Sequence, residues 1–328
     1  MNLGTIGTSW ITESFIEAAK ESKILTLSAV YSRNEETAKS FASKHGADTF
    51  YTNIEELANS KDIDVVYIAS PNSLHYEQTI SLLQNKKHVI CEKPIFSTTI
   101  ELEHAFKIAE ENGVFLFEAI RNFHSPNFKI LKENLSKIGQ VRSANLHYLQ
   151  YSSRYDSFLR GENPNVFSPE FSGGALVDLG VYPLYVAVGL FGKPESVNYT
   201  PVKLHNGIDG SGTLVLNYEN HTCSIQCSKI SQSYIESDIT GEIGAFVLDK
   251  PSPISKITFI NHKTKVSESL EVAQVQNDML YEIQNITKII KEKNEIEYNL
   301  LKEMSKIVLT ITESARKQSG IVFGVEKN

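Results

Sequence analysis

A lysine at the end of a short apolar run is the first residue of this chain that could do chemistry. The segment Lys86–Pro94 is typical of a β-strand that stops at Lys93 and Pro94. Proline supplies no backbone donor and biases the residue before it away from the helix, so we expect Lys93 at a fixed strand end. Open α/β sheets bind ligands beyond the carboxyl ends of their strands, where an ammonium group is a candidate catalytic group. Taken alone, the motif is equally typical of a solvated loop lysine.

The first part of the chain alternates strand-like and helix-like segments, the pattern of βαβ units around a parallel sheet. The predicted strands are Leu3–Ile6, Leu25–Tyr31, Asp48–Phe50, Val65–Ala69, His88–Cys91 and Val114–Glu118. The predicted helices between them are Ile11–Glu21, Asn34–Lys44, Asn53–Asn59, Leu74–Asn85 and Thr99–Asn112. Strands and crossovers of this number make a complete dinucleotide-binding domain, so we expect residues 1–119 to form a doubly wound Rossmann domain that binds NAD(P).

The rhythm changes after residue 120, where strand-like runs follow one another with only turns between them. These runs, which indicate antiparallel pairing, are Ala144–Tyr151, Gly212–Tyr218, Thr222–Ser228 and Ile235–Thr240. Predicted helices precede and follow them at Gly174–Leu190, Val275–Lys291 and Glu295–Arg316. The predicted fold class is therefore α/β, with an N-terminal Rossmann domain. We expect residues 120–328 to form an α+β domain for substrate binding and dimerisation, on a large, mostly antiparallel sheet.

Composition excludes several classes of protein. The chain has 328 residues, a formal net charge of −7, and no lysine or arginine run beyond a dipeptide, so we expect no nucleic-acid ligand. Three cysteines give no disulfide framework, which indicates a reduced, cytoplasmic protein. Cys223 and Cys227 face one side of a predicted strand, where core packing is favoured over metal binding, and no metal is expected. The N-terminus shows no basic leader, and Asp178 interrupts the apolar stretch Gly173–Gly192, so we expect a buried helix and no membrane contact.

The turn after the first predicted strand is a degraded dinucleotide fingerprint. Gly7 fills the position of the tight turn, whereas Ser9 and Thr12 occupy the places of the second and third glycines. Ser9 is small and its hydroxyl can donate to a phosphate oxygen, so an anion site at the following helix N-terminus survives the change. Glycine is also common between a strand and a helix in proteins that bind no dinucleotide, so the turn alone is a weak signal.

The end of the second predicted strand distinguishes the two nicotinamide dinucleotides. Enzymes that bind the free ribose 2′-hydroxyl of NAD carry an acid there, whereas a 2′-phosphate calls for a cation. This chain has Ser32 and Arg33, with no acid before Glu35. NADP(H) is therefore favoured and NAD(H) remains an alternative; a surface arginine in a turn is the competing explanation of Arg33. After the fourth strand, Ser70 and Asn72 are candidates for the nicotinamide side of the crevice.

Five motifs in this order resemble those of the Gfo/Idh/MocA family, named after glucose-fructose oxidoreductase, inositol dehydrogenase and rhizopine catabolism. They are the glycine turn, Ser32-Arg33, Ser70-Pro71-Asn72 with His75, Glu92-Lys93-Pro94, and Gly173-Gly174-Ala175-Leu176-Val177-Asp178-Leu179-Gly180-Val181-Tyr182. The resemblance runs from Leu3 to the closing helices. It implies a Rossmann domain, a substrate domain on a mostly antiparallel sheet, and hydride transfer between NAD(P) and a hydroxyl-bearing carbon, usually of a sugar or polyol.

The resemblance carries three catalytic residues onto this chain, namely Lys93, Asp178 and Tyr182. The tyrosine resembles the glucose-fructose oxidoreductase and dimeric dihydrodiol dehydrogenase branches, whereas many dehydrogenases of the family have histidine at this position. The tyrosine disfavours inositol as the substrate. Tyr185 replaces a further acid of the inositol-type enzymes, so the resemblance does not indicate which hydroxyls are recognised. Without the resemblance, Tyr182 is better explained as a tyrosine that caps a core helix.

The chemistry of these three residues follows from the reaction that the resemblance implies. Oxidation of an alcohol requires its proton to leave as hydride passes to the nicotinamide. A phenol with a pKa near ~10 is a poor base at neutral pH unless a cation such as Lys93 stabilises the phenolate. We expect Tyr182 to exchange the proton, Lys93 to tune it and polarise the substrate oxygen, and Asp178, on the same helix face, to orient the substrate. The alternative, with Lys93 as the acid and Tyr182 as a hydrogen-bond partner, stays open.

The remaining candidates are residues that line the predicted turns and loops. The predicted cofactor-binding residues are Gly7, Thr8, Ser9, Trp10, Ile11, Ser32, Arg33, Ser70, Pro71, Asn72, His75, Glu92, Lys93 and Arg121. Arg121 and His124 follow the sixth strand, where a positive group could meet the cofactor or the substrate. The candidate substrate contacts, besides His124, are Arg154, Tyr155 and Asn165. These three residues lie in a loop where surface polar residues are equally expected.

The leading hypothesis is an NADP-dependent oxidoreductase that acts on a sugar, polyol or related small molecule. We expect a homo-oligomer, either a dimer or a tetramer, formed through the C-terminal sheet. Two alternatives remain: a dinucleotide-sensing regulatory protein of the same fold that does no chemistry, and an enzyme that retains its nicotinamide through a redox cycle. The joint presence of Lys93, Asp178 and Tyr182 favours an enzyme, because a sensor has no need of a lysine and a phenol at the hydride site.

Overall fold

The computed structural model describes residues 1–327 and consists of two compact units. The first unit comprises Met1–Ala119 and Val275–Lys306. The second unit comprises Ile120–Gln274 and the residues from Ile307 onward. The sequence analysis assigned Val275–Lys306 to the domain that begins at residue 120, and the structure corrects this assignment because the segment packs with the first unit.

A parallel sheet forms the core of the first unit, which confirms the predicted doubly wound architecture. Among the described residues its strands are β1 (Asn2–Ile6), β2 (Thr26–Tyr31), β3 (Thr49–Tyr51), β4 (Val65–Ile68), β5 (His88–Glu92) and β6 (Leu116–Ala119). They lie in the order β3-β2-β1-β4-β5-β6, and every neighbouring pair is parallel. The strand order reverses between β1 and β4, so the carboxyl ends of these two strands flank the crevice in which such sheets bind ligands.

Helices connect the consecutive strands of the first unit. They are α1 (Trp10–Ser22), α2 (Glu35–His45), α3 (Ile54–Asn59), α4 (His75–Gln84) and α5 (Thr99–Asn112). Side chains that accept hydrogen bonds from first-turn amides set several of their starts. Asn34 and Asn53 cap α2 and α3 in this way, and Thr98 forms a reciprocal capping box with Glu101 at α5. The predicted boundaries of the strands and helices up to residue 119 are correct to within two residues, whereas the predicted helix Val275–Lys291 is observed as Met279–Glu292.

A large sheet dominates the second unit. Among the residues from 120 to 327 its strands are β7 (Val141–Leu149), β8 (Ser196–Lys203), β9 (Asp209–Asn217), β10 (Thr222–Ser228), β11 (Ser237–Gly241), β12 (Gly244–Leu248), β13 (Ile257–Asn261) and β14 (Ser267–Ser269). They lie in the order β14-β13-β12-β11-β7-β10-β9-β8. Neighbours are antiparallel except β7 and β10, which are parallel. The predicted mostly antiparallel sheet is therefore confirmed.

The pairing of β7 with β10 corrects the expectation that the strand-like runs of this half pair antiparallel. The long connection between Leu149 and Thr222 crosses over and returns the chain in the same direction. The sequence analysis also missed β8 and the three strands β12, β13 and β14. Pro201 interrupts the strand signal of β8, and it is tolerated there because β8 lies at the edge of the sheet.

An apolar helical segment packs against this sheet. The helices of the second unit before residue 192 are α6 (Arg121–His124), α7 (Pro126–Glu133), α8 (Tyr155–Leu159) and α9 (Val181–Phe191). A π-turn at Leu176–Gly180 precedes α9, so the predicted helix Gly174–Leu190 is not one regular α-helix. The stretch Pro169–Phe191 could cross a membrane by length and composition alone, but 78% of its most apolar window is buried inside the protein, as in a core helix. Cys223 and Cys227 are fully buried free thiols, in agreement with core packing.

The apolar face of a late helix explains why Val275–Lys306 joins the first unit. Helix α10 (Met279–Glu292) packs beside α1, and its isoleucines Ile283, Ile286 and Ile289 are fully buried in the core of that unit. Helix α11 (Glu295–Gln318) follows, and the Tyr298 ring lies edge-on to Phe115 with centroids 4.7 Å apart. Burial of these side chains stabilises the docked segment. Periodicity reveals an apolar helix face but not the surface that covers it.

Candidate functional site

The turn after β1 requires glycine at position 7. Gly7 has a φ of +105°, and a Cβ atom there would lie 2.6 Å from the carbonyl oxygen of Ala69, just beyond β4. Thr12, at the third position of the fingerprint, is fully buried and fills the space between helix and strand. Ser9 is the N-cap of α1, but its side chain makes no capping hydrogen bond within the described structure. The turn therefore offers a close backbone approach and a hydroxyl donor, which fit a dinucleotide phosphate.

The residues that follow Gly7 and β2 are accessible. Thr8 and Ile11 are half-buried, and Trp10 at the first position of α1 is 72% exposed. Arg33 is exposed two residues beyond β2, and no acidic side chain among residues 1–327 pairs with it. Ser32 is half-buried, and its hydroxyl oxygen accepts a hydrogen bond from the Asn34 amide at 3.4 Å. The end of β2 thus presents a cation that the protein itself does not neutralise.

His75 joins the loops that follow β4 and β5. Its ring is fully buried, with Nδ1 3.1 Å from the Pro94 carbonyl oxygen and Nε2 2.9 Å from the Ser70 carbonyl oxygen. Burial lowers the pKa of His75, so the ring is neutral at neutral pH. Pro71 and Asn72 lie half-buried in the first of these loops. One nitrogen of the neutral ring carries a hydrogen atom and can donate to one of these carbonyl oxygens, and the buried ring packs between the two loops.

Lys93 directly follows β5 and is half-buried. Its amide donates to Oε2 of Glu92 at 3.2 Å, and Oε1 of the same carboxylate accepts from the hydroxyl of the buried Tyr67 at 2.6 Å. Beyond Pro94, the Ile95 amide donates to Oε1 of the buried Glu118 at 3.2 Å. The backbone on both sides of Lys93 is therefore held by two carboxylates, those of the half-buried Glu92 and the buried Glu118, and Glu92 has a structural partner in Tyr67.

A buried carboxylate organises the segment of the second unit that carries Asp178. Oδ2 of Asp209 accepts hydrogen bonds from the Leu176 amide at 2.7 Å and from the Tyr199 hydroxyl at 2.6 Å. The other oxygen of Asp209 occupies the space that a Cβ atom would need at Gly174, whose φ is +140°. Burial raises the pKa of Asp209 to about 6, although both hydrogen bonds oppose the rise. Asp209 thus caps the π-turn from a distant strand.

Asp178 lies within the π-turn and pairs with Lys229, a residue that the sequence analysis missed. Nζ of Lys229 donates to Oδ2 of Asp178 and, at 3.0 Å, to the carbonyl oxygen of Val166. The lysine side chain is 2% exposed and the aspartate side chain 29% exposed. Lys229 directly follows β10, and this position after a predicted strand is the signal that the sequence offered for it.

Tyr182 lies in the first turn of α9, four positions after Asp178. Its side chain is buried, and its ring centroid is 5.7 Å from that of Tyr148 on β7. Its backbone carbonyl oxygen accepts from Nδ2 of Asn122 at 3.2 Å, and the same amide group donates to the Pro251 carbonyl at 3.1 Å. Asn122, fully buried and also missed, therefore fixes the start of α9.

His124 is buried and neutral, which corrects the expectation of a positive group at this residue. Arg121 and His124 are both in α6, where the sequence analysis expected a positive group. His124 is 5% exposed, and burial, together with the charge of Lys129, lowers the pKa of His124 to about 3. The imidazole is therefore neutral at neutral pH, and the positive charge in α6 belongs to the half-buried Arg121.

The other predicted substrate contacts lie in the segment between β7 and the π-turn. Arg154 and Asn165 are exposed, whereas Tyr155 is half-buried with its ring centroid 5.6 Å from that of Phe167. Asn165 directly precedes Val166, the residue whose carbonyl oxygen accepts from Lys229. Asn165 is therefore next in sequence to a residue that contacts Lys229, the partner of Asp178. Arg154 is exposed to solvent.

A Rossmann sheet with a glycine turn, together with a second unit built on a mostly antiparallel sheet, defines a class of two-domain NAD(P)-binding oxidoreductases. Residues 1–120 match the family described as "Oxidoreductase family, NAD-binding Rossmann fold", and residues 134–247 match "GFO/IDH/MocA C-terminal domain". The chain belongs to the GFO/IDH/MocA oxidoreductase family, as the motifs indicated.

Known relatives cover almost the whole chain. The scyllo-inositol 2-dehydrogenase (NADP(+)) IolU of Bacillus subtilis (strain 168) is 43% identical over 98% of both chains. The trans-1,2-dihydrobenzene-1,2-diol dehydrogenase of Xenopus tropicalis is 27% identical over 90% of both chains. Among solved structures, the 3-ketoreductase KijD10 of Actinomadura kijaniata, in complex with NADP and TDP-benzene, has the same fold, with a TM-score of 0.82, 19% identity and 97% coverage of both chains.

Alanine at position 7 tests the glycine turn. Gly7→Ala adds a methyl group 2.6 Å from the Ala69 carbonyl oxygen at a backbone angle that only glycine adopts readily, so the turn must open. We expect at least a ~10-fold loss of NADP(H) affinity by calorimetry, together with a loss of stability of about 1–3 kcal/mol.

Gly46→Ala is the matched control for this change. Gly46 also has a positive φ, +76°, but nothing lies within 4 Å of its added Cβ atom. Its substitution therefore costs about 1–2 kcal/mol of backbone strain and leaves NADP(H) affinity unchanged. Equal losses of affinity in the two variants would show that Gly7 has no special place at the cofactor.

The pH dependence of stability tests the neutral state of His124. The pKa of His124 is about 3 in the folded protein and 6.5 ordinarily, so the unfolded chain binds the proton first as the pH falls. The associated stability is complete above the ordinary pKa and is lost as the pH falls toward the folded value. We expect the unfolding free energy of wild type, relative to His124→Gln, to fall by about 2 kcal/mol between about pH 7 and about pH 5 in urea titrations. Parallel pH profiles would contradict a buried, neutral imidazole.

Proposed function

We propose that this protein is an NADP-preferring oxidoreductase that moves hydride between the nicotinamide and a hydroxyl-bearing ring carbon of a polyol. The observation that carries the proposal is a set of three groups at the carboxyl edge of the first unit's sheet. Gly7 follows β1, the unneutralised Arg33 follows β2, and Lys93 follows β5. When bound, NADP(H) supplies or accepts the hydride.

The first unit carries the groups that would hold the cofactor. The backbone of the Gly7 turn and the hydroxyl of Ser9 suit the pyrophosphate, since a close approach and a donor are available there. Arg33 suits the 2′-phosphate, because its planar guanidinium can donate two parallel hydrogen bonds to phosphate oxygens. The 2′-hydroxyl of NAD would need an acceptor, and the residues before Glu35 offer no carboxylate.

Three residues are proposed to act on the substrate. Lys93 acts as the cation that polarises the substrate oxygen, and Tyr182 exchanges the hydroxyl proton, a step for which a phenolate needs a stabilising cation. The reverse assignment, in which Lys93 exchanges the proton and Tyr182 hydrogen-bonds to the substrate, uses the same groups. Asp178 accepts a hydrogen bond from a neighbouring hydroxyl, which its partial exposure and its pairing with Lys229 support.

The names of two relatives support the proposed substrate class. Scyllo-inositol and trans-1,2-dihydrobenzene-1,2-diol both carry neighbouring hydroxyls in trans on a six-membered carbocycle. We therefore propose that the substrate of this protein is also a ring with neighbouring hydroxyls in trans. The 43% identity to an inositol dehydrogenase supports inositol as a candidate substrate, although Tyr182 disfavoured it in the sequence analysis.

We also propose a cytoplasmic location and a homo-oligomer formed through the large sheet. The support for the location is the absence of disulfides among the described cysteines, all of which are buried thiols. The support for the assembly is the alternation of buried and more exposed side chains along β10, which leaves one face of the sheet accessible to a second copy.

Reversal of the charge at Arg33 tests the cofactor preference. In Arg33→Asp, the 2′-phosphate of NADP loses a charge-assisted donor and meets a like charge, so its Kd should rise at least ~30-fold. The Kd of NAD should stay the same or fall, because the 2′-hydroxyl of NAD can donate a hydrogen bond to the new carboxylate. Lys39→Asp, a charge reversal at an exposed position of α2, is the control and should leave both values unchanged. Equal effects of Arg33→Asp on both dinucleotides would overturn the preference.

Removal of the reacting side chains tests the proposed activity. We expect Lys93→Met and Tyr182→Phe each to lower kcat about 10²- to 10⁴-fold with scyllo-inositol or trans-1,2-cyclohexanediol. The double variant should be no slower than the slower single variant by more than about threefold, since groups that act as a unit are not additive. Tyr218→Phe, which removes a hydroxyl that donates to the Gly192 carbonyl in the same unit, is the control and should keep normal kcat.

The outcomes of this experiment separate the alternatives. Wild-type activity on the trans diol that exceeds activity on cis-1,2-cyclohexanediol supports the substrate class. Wild-type rates in both single variants would reject the assigned roles. Tight cofactor binding without turnover of any polyol, ketone or diol would instead indicate a dinucleotide-sensing regulatory protein.

A further inference from the structure

The buried lysine after β10 is the point at which several segments of the second unit meet. The Lys229 amide donates to the Gly210 carbonyl at 2.8 Å, and its own carbonyl accepts from the Ser152 amide at 2.9 Å. These bonds continue the pairing of β10 with β9 on one side and with the chain after β7 on the other. The Lys229 backbone therefore has a fixed position before its side chain makes any contact.

The ammonium group of Lys229 has a partner in each direction in which it can donate. A lysine ammonium carries three donors and no acceptor. One donor points to the Asp178 carboxylate, one lies 3.0 Å from the Val166 carbonyl oxygen, and the ring of Phe167 is 4.9 Å away, measured from Nζ to the ring centroid. Burial of an ammonium group is costly unless such partners are present, so all three contacts must be retained together.

The carbonyl group of Val166 contacts Lys229 on one side and lies close to Gly173 on another. A Cβ atom on Gly173 would lie 2.8 Å from that carbonyl oxygen, so only glycine lets the chain pass so close. Gly173 also begins the approach to the π-turn that carries Asp178. The position of Val166 and the position of Asp178 are therefore coupled, once through the backbone at Gly173 and once through Lys229.

The ion pair is asymmetric in its exposure. Lys229 is 2% exposed, whereas Asp178 retains 29% of its side-chain surface. A cation anchored in the interior thus directs an anion that still meets solvent. This arrangement suits a carboxylate that must accept a hydroxyl group in one orientation.

We propose that Lys229 is a positioning residue, which fixes the Asp178 carboxylate and the segment 165–167 in one arrangement and thereby sets the discrimination between trans and cis diols. The inference deepens the proposed function and rests on it, because it concerns the residue proposed to orient the substrate. Lys229 itself does not exchange the proton or the hydride.

The test compares Lys229→Met with Asp178→Asn and with the double variant. With trans-1,2-cyclohexanediol as substrate, Lys229→Met should lower kcat/KM at least ~30-fold, mainly by raising KM, since misplacement of an orienting group weakens the productive complex. The preference for the trans over the cis diol should fall at least ~10-fold. The double variant should lie within about threefold of Asp178→Asn, since Lys229 acts through Asp178. The Kd of NADP should not change.

Lys87→Met is the matched control. Lys87 is another buried lysine, 8% exposed, whose Nζ donates to the carbonyl oxygens of Ser60 and Ile63 in the first unit. It should lose stability without a change in the trans-to-cis preference. Lys229→Gln, which keeps two N–H donors without the charge, provides a second variant if the methionine variant does not fold.

Hydrogen exchange supplies a readout that does not require turnover. In Lys229→Met, peptides that cover residues 163–168 and 174–182 should exchange at least ~10-fold faster, whereas Lys87→Met should leave them unchanged. Unchanged exchange, or multiplicative losses in the double variant with an unchanged diol preference, would overturn the positioning role. If wild type turns over no diol, the proposed function fails, and the exchange result alone decides whether Lys229 fixes the Asp178 segment.

Discussion

The second unit depends on one enclosed carboxylate. Asp209 accepts hydrogen bonds from the Leu176 amide and the Tyr199 hydroxyl, and its other oxygen leaves room only for glycine at position 174. An unsatisfied buried carboxylate would be costly, so these contacts must form together. Burial raises the pKa of Tyr199, which keeps the phenol protonated as a donor. The position of the Asp209 carboxylate therefore determines where the π-turn that carries Asp178 begins.

The first unit positions its candidate functional groups in a different way. Its functional groups lie at strand ends, and small or buried residues fix the loops that carry them. Gly7 lets the β1 turn approach Ala69, and His75 ties the loop at Ser70 to the loop at Pro94. Lys93 lies between these fixed points, with a neighbouring carboxylate already engaged by Tyr67. The proposed catalytic role of Lys93 fits such a frame, because a backbone that is already fixed loses little conformational freedom when a substrate binds.

Local interactions decide how much of this could be predicted from the sequence. The strand ends and helix starts of the first unit follow from apolar periodicity, proline and capping side chains, so Lys93 was expected where it lies. The contacts that shape the second unit are distant in the chain: Asp209 is 33 positions from Leu176, and Lys229 is 51 positions from Asp178. Neither the π-turn, the parallel pairing of β7 with β10, nor the packing of α10 with the first unit has a local signature. The neutral state of His124 likewise depends on burial, which the sequence does not reveal.

The most direct test of the central claim follows one hydrogen atom. The protein is incubated with NADP+ and scyllo-inositol that carries deuterium on its ring carbons, and the reduced cofactor is examined by NMR. Direct hydride transfer predicts one deuterium at C4 of the nicotinamide, on a single face of the ring, and none after incubation of Lys93→Met for the same time. Reduced cofactor without deuterium, or no reduction with labelled or unlabelled polyol despite tight cofactor binding, would contradict the account.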